Sequence, residues 1–141
     1  MATKADFTPE EWQVFQWAVL DTMAYMAMAE KGFWDTFKET TAAARYLADA
    51  KANSTSLFVR DLAGDIRTKK DKDVTGNPTD MAGEVAERVS EAAGVVAAKA
   101  PDELEAFKLF VIGVAEATAQ AAEGVGPNEA QAIEKIRAAL G

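Results

Sequence analysis

The sequence predicts an all-α fold, a single bundle of about six helices arranged on two central apolar ones. Three observations carry this expectation. Apolar residues recur at helical spacing along nearly the whole chain. The breaks between those stretches fall at Gly, Pro, Asn and Ser, the residues that stop and start helices. Finally, 49% of the 141 residues are hydrophobic, which is enough for one core in a chain without cysteine.

Thr8-Pro9-Glu10-Glu11 is a capping box with proline at the first helical position, and it starts a helix that runs to about Lys31 and stops at Gly32. Trp12, Phe15, Val19, Met23, Met26 and Ala27 make one apolar face of this helix. Trp17, Leu20, Ala24 and Met28 make another, so neighbours are expected on several sides. A second helix spans about Phe33 to Ala50, with Phe33, Phe37, Ala44 and Leu47 inward. Asn53-Ser54-Thr55-Ser56 breaks it and caps a short third helix bearing Phe58, Leu62 and Ile66. Asn77-Pro78 opens a fourth, in which Met81, Val85, Val89, Ala92 and Val96 form one stripe. Pro101 begins a fifth helix to about Ala122, and Gly124-Val125-Gly126-Pro127 turns the chain into a sixth that buries Ile133, Ile136 and Leu140. The expected organisation is one domain over 1–141: a first hairpin at 8–50, a middle segment at 51–100 with a polar loop at 67–78, and a second hairpin at 101–141.

The net charge of −8 is uneven, because both outer segments are acidic and residues 51–100 are neutral. An acidic surface repels phosphate backbones and anionic lipid, so nucleic acid is disfavoured as a partner. The two most apolar stretches, Val14 to Ala29 and Ala106 to Ala122, are short and contain charge, so membrane insertion is not expected either. No apolar run follows the charged start, and the cytoplasm is the default location. With no histidine and no cysteine, a bound metal would be a hard ion held by oxygen. Nucleophilic catalysis has no candidate triad or elbow, and no glycine loop is suited to phosphate, so the chain reads as non-enzymatic.

Three constellations are candidate sites. Residues 71–84, DKDVTGNPTDMAGE, open like an EF-hand loop, with Asp71, Asp73 and Thr75 at the first, third and fifth places and Gly76 at the sixth. The closing glutamate is missing, since Ala82 stands at the twelfth place and Glu84 comes two places late. A degenerate calcium or magnesium site and a polar connector are the two readings. Asp21 and Glu116 sit inside otherwise apolar helices, where a buried carboxylate needs a partner. They could share a proton, hold a metal, or bond separately to Thr22, Thr118 or an arginine. The third set is acidic, with Glu30, Asp35, Glu39, Glu123 and Glu129 near two helix turns. They either concentrate into a cation-attracting patch or are solvated helix ends.

Shifting the sequence by 92 places superimposes Glu11, Trp12, Phe15, Val19, Leu20, Ala27, Gly32 and Arg45 on Glu103, Leu104, Phe107, Val111, Ile112, Ala119, Gly124 and Arg137. If these matches reflect a repeat, two hairpins pack about an approximate two-fold axis; any two amphipathic hairpins would also align in part. The turn Ala122-Glu123-Gly124-Val125-Gly126-Pro127-Asn128-Glu129 resembles the A-D-G-x-(I/V)-S-x-x-E turn of the TerB-like tellurite-resistance family. Glu123 takes the place of that family's aspartate, Gly124 its glycine, Val125 its aliphatic residue and Glu129 its closing acid, in a turn one residue shorter. Ala29-Glu30-Lys31-Gly32-Phe33, followed by Asp35 and Glu39, is a looser version with a lysine intruding. The resemblance implies a helical, non-enzymatic acidic domain tied to stress or metal-ion response, with carboxylates near these turns as cation sites. The leading expectation is therefore a TerB-like binding domain for hard cations or a basic protein surface. The alternative is a homo-oligomeric or partner-docking protein that uses apolar helix faces, notably Trp12, Trp17 and Trp34.

Overall fold

The structure, a computed structural model, describes residues 2–29, 36–66, 78–120 and 127–141. Among these residues there are six α-helices and no strand: α1 (Pro9–Ala29), α2 (Thr36–Asn53), α3 (Leu57–Asp65), α4 (Pro78–Lys99), α5 (Leu104–Gln120) and α6 (Pro127–Leu140). Single 3-10 turns at Lys4–Asp6 and Pro101–Glu103 precede α1 and α5.

The capping signals act as local chemistry requires. The Thr8 amide donates to Glu11 Oε1 at 2.8 Å and the Glu11 amide to Thr8 Oγ1 at 3.1 Å, so the box at the start of α1 is closed in both directions. Ser56 caps α3 by accepting from the Val59 amide at 3.1 Å. Pro78, Pro101 and Pro127 stand at helix starts, where the missing N–H costs nothing.

Helices α1 and α5 are central, since each touches every other helix. Phe15, Val19, Phe107 and Val111 are fully buried on them. The middle segment contributes directly to the core. Helix α4 is itself a core element and packs on α1 more extensively than any other pair packs. Val85, Val89, Ala92 and Val96 supply its buried face. The most extensive partners of α2 are its sequence neighbour α3 and the distant α5.

Five aromatic residues meet where α1, α3 and α5 converge. Phe58 lies edge-on to Phe7, Trp12, Phe15 and Phe107 at centroid distances of 5.3, 5.8, 5.4 and 6.1 Å. Edge-to-face pairs of this kind add about 0.5–1.5 kcal/mol each beyond area burial.

Farther along α5, Tyr46 of α2 stacks on Phe110 at 6.2 Å and 23°. Its hydroxyl presses toward the α5 backbone at Gly113, where any Cβ would run into the Tyr46 ring and oxygen. Glycine at this position leaves room for the Tyr46 hydroxyl against the α5 backbone.

Candidate functional site

The inward stripe of α4 determines what its outer side carries. With Val85, Val89, Ala92 and Val96 buried, helical periodicity places Glu84, Glu87 and Glu91 together on the solvent side, and all three are exposed. None of them makes an ion pair or a side-chain hydrogen bond with a described residue. The row covers about 10 Å at 1.5 Å per residue.

Beside it lies a shallow open groove between α4 and α6. Small side chains line it, with Ala86 and Ser90 from α4 and Ala138 and Ala139 from α6. Glu87 and Glu91 border one side and Lys135 the other. The sequence stripe points to α4 as an amphipathic helix but gives no sign that small residues on α6 would open a groove beside its acids.

The carboxylates expected to be buried are not. Asp21 and Glu116 keep 23% and 42% of their side-chain surface exposed, and each meets its own arginine: Asp21 pairs with Arg88 at 3.0 Å, Glu116 with Arg137 at 3.2 Å. Of the readings open in the sequence, separate pairing with an arginine is the one the structure shows, and the two carboxylates are not a shared-proton pair. Their neighbours Thr22 and Thr118 are the buried polar residues instead, donating back along their own helices to the Ala18 and Val114 carbonyls at 2.7 and 2.8 Å.

The tryptophans also separate. Trp12 belongs to the core at 3% exposure, and its indole N–H donates to Asp65 Oδ2 at 2.9 Å, so it offers no docking surface. Trp17 is 38% exposed, with the Arg88 guanidinium 4.8 Å from its ring centre. This leaves Arg88 between an aromatic face and the Asp21 carboxylate, a favourable site for a planar cation.

Trp34, Glu30, Asp35, Glu123 and the loop residues Asp71, Asp73 and Thr75 lie outside the described residues. Glu39 belongs to α2 and Glu129 to α6 by backbone, but their side chains are likewise outside the description. Among the described residues, no three acidic, histidine or cysteine side chains gather as a metal site. No helix is long and apolar enough to cross a membrane among those residues.

The buried carboxylate that sequence reasoning missed is Glu103, 6% exposed, which accepts a hydrogen bond from Ser56 Oγ at 2.7 Å. Its place in the first turn of a helix suggests an ordinary exposed acid. The partner is 47 residues away, on a cap whose hydroxyl serves two helices at once. At the other end of α4, Lys99 bonds Glu11 at 2.6 Å. That hydrogen bond, then the Thr8 amide, holds the Glu11 carboxyl below its ordinary value of 4.5. Comparison with protein families, with curated proteins and with solved structures finds no match to this chain.

Proposed function

We propose that this chain is a non-enzymatic acidic binding domain of the cytoplasm that takes a basic helical segment of a partner protein along the α4–α6 groove. The observation that carries the reading is the exposed row of Glu84, Glu87 and Glu91, which makes no ion pair with a described residue although Lys135 borders the opposite side of the groove. Acids strung along a helix suit a row of lysines or arginines at matching spacing better than they suit one ion, which needs its ligands converged. The small residues lining the groove leave room for the backbone of a second helix. The TerB-like turn at 122–129 supports the non-enzymatic part of the reading, and with it a role in stress or metal response.

A fluorescein-labelled helical peptide of lysine and alanine tests this by anisotropy. Its affinity should fall about tenfold or more when Glu84, Glu87 and Glu91 are changed together to glutamine. It should hold when Asp102 and Glu105 are neutralised elsewhere. Equal losses in both variants would reduce the binding to bulk charge and refute a defined site.

A second reading, self-association, rests on Leu109, which is 67% exposed, and on Trp17. Light scattering on the eluting protein tests it, and a monomer at all concentrations would remove it.

A further inference from the structure

The residues before α1 are fastened in a way that the helical bundle does not require. The Asp6 and Phe7 amides donate to the Thr3 and Lys4 carbonyls at 3.0 and 3.2 Å, and the Thr3 amide donates to Asp6 Oδ2 at 2.8 Å, which closes the segment on itself. Two carboxylates of α3 then hold it down. The Lys4 amide donates to Asp61 at 3.2 Å and Lys4 Nζ reaches Asp65 at 2.8 Å. Asp65 Oδ2 also receives the Trp12 indole N–H, and its backbone carbonyl receives Gln16, so one residue ties this segment, α3 and α1 together. Under this polar latch lies one large apolar anchor. Phe7 is 8% exposed, and its ring sits 6.1, 5.0 and 5.3 Å from Trp12, Phe15 and Phe58.

We propose that residues 2–7 form a strap that opens as one unit while the six helices stay folded, uncovering an aromatic slot lined by Trp12, Phe15 and Phe58, and that Lys4 with Asp61 and Asp65 sets how often it opens. The strap has the composition of a low-stability unit: one buried ring, a self-closed turn and an exposed ion pair. By contrast, α1 and α5 share a continuous core, and their amides report global unfolding.

Native-state hydrogen exchange of the full chain, read by NMR, tests the strap. The amides of Thr3, Lys4, Asp6 and Phe7 should share one opening constant and exchange at least about a hundredfold faster than those of Val111 and Val114 in α5. Lys4→Ala, at an exposed position, should speed the strap amides by about threefold to fivefold and leave α5 unchanged. High salt should do the same to the parent protein and add little to the variant. Asp61→Asn gives a second route to the same loosening if Lys4→Ala alters expression. Three results would overturn the proposal: strap amides as slow as α5, four unrelated opening constants, or rates indifferent to both variants and to salt.

Discussion

Replacing glycine by alanine inside a helix is ordinarily stabilising by about 0.8–1.0 kcal/mol, because the backbone of alanine loses less freedom on folding. At Gly113 the sign should reverse. The added Cβ would overlap the Tyr46 hydroxyl and Cζ, and Tyr46 is half-buried with its ring stacked on Phe110, so relief requires that ring to slide or α2 to lift from α5. Overpacking of this kind costs about 1–3 kcal/mol. An overlap with both the hydroxyl and its ring carbon belongs in the upper part of that range, which leaves Gly113→Ala about 1–2 kcal/mol less stable after the helix gain. For a chain of 141 residues, an unfolding entropy of about 0.3 kcal/mol/K turns this into a melting temperature about 3–7 °C lower. Gly94 in α4 faces open space and serves as the internal control, with Gly94→Ala expected to melt about 3 °C higher. Urea titrations followed by circular dichroism give both values, and a double-mutant cycle with Tyr46→Ala should make Gly113→Ala neutral or favourable. A Gly113→Ala protein as stable as the parent would refute the close seating of Tyr46 on Gly113.

Other expectations follow from polar groups. Ser56→Ala removes a helix cap and strips buried Glu103 of its donor, for a loss of about 2–4 kcal/mol in denaturant melts; added to Glu103→Ala it should cost much less than that. The Glu11 carboxyl should titrate below its ordinary 4.5 by NMR, and Lys99→Ala should move it back up by removing the largest cause. Because the folded value is depressed, the contribution of Glu11 to stability is present above the unfolded value and lost as pH falls through the folded one. Tyr46 should ionise above its ordinary 10.0 in ultraviolet titration, chiefly because it is buried, with Glu116 and Asp49 adding to the shift. A raised folded value favours the neutral phenol, so that contribution is intact below the unfolded value and lost as pH rises through the folded one.

Helix positions were legible because their signals are local. The Thr8 box, Ser56, Pro78, Pro101 and Pro127 each mark a start within a few residues of sequence, and the structure uses all five. The stripe through Val85, Val89, Ala92 and Val96 was equally readable, since burial of one helical face leaves a periodic trace. Partnership was legible only as a set of alternatives. Asp21 and Glu116 look buried in one dimension because their neighbours are apolar, yet the long side chains of Arg88 and Arg137 meet them at the bundle surface. Trp12 and Trp17 are five positions apart, more than a full turn, so one points into the core and the other toward solvent. The groove between α4 and α6 depends on how two helices that are not neighbours in sequence lie together, which periodicity does not encode.

The most direct measurement of the proposed function is an NMR titration of the isotope-labelled full chain with the lysine–alanine helical peptide at physiological salt. Binding along the groove shifts the amides of Ala86, Ser90 and Glu91 on α4 and of Lys135, Ala138 and Ala139 on α6, saturably and together, while α2 and α3 stay in place. Shifts scattered over every acidic side chain, or none while the peptide is in excess, would contradict a basic segment seated on the α4–α6 groove.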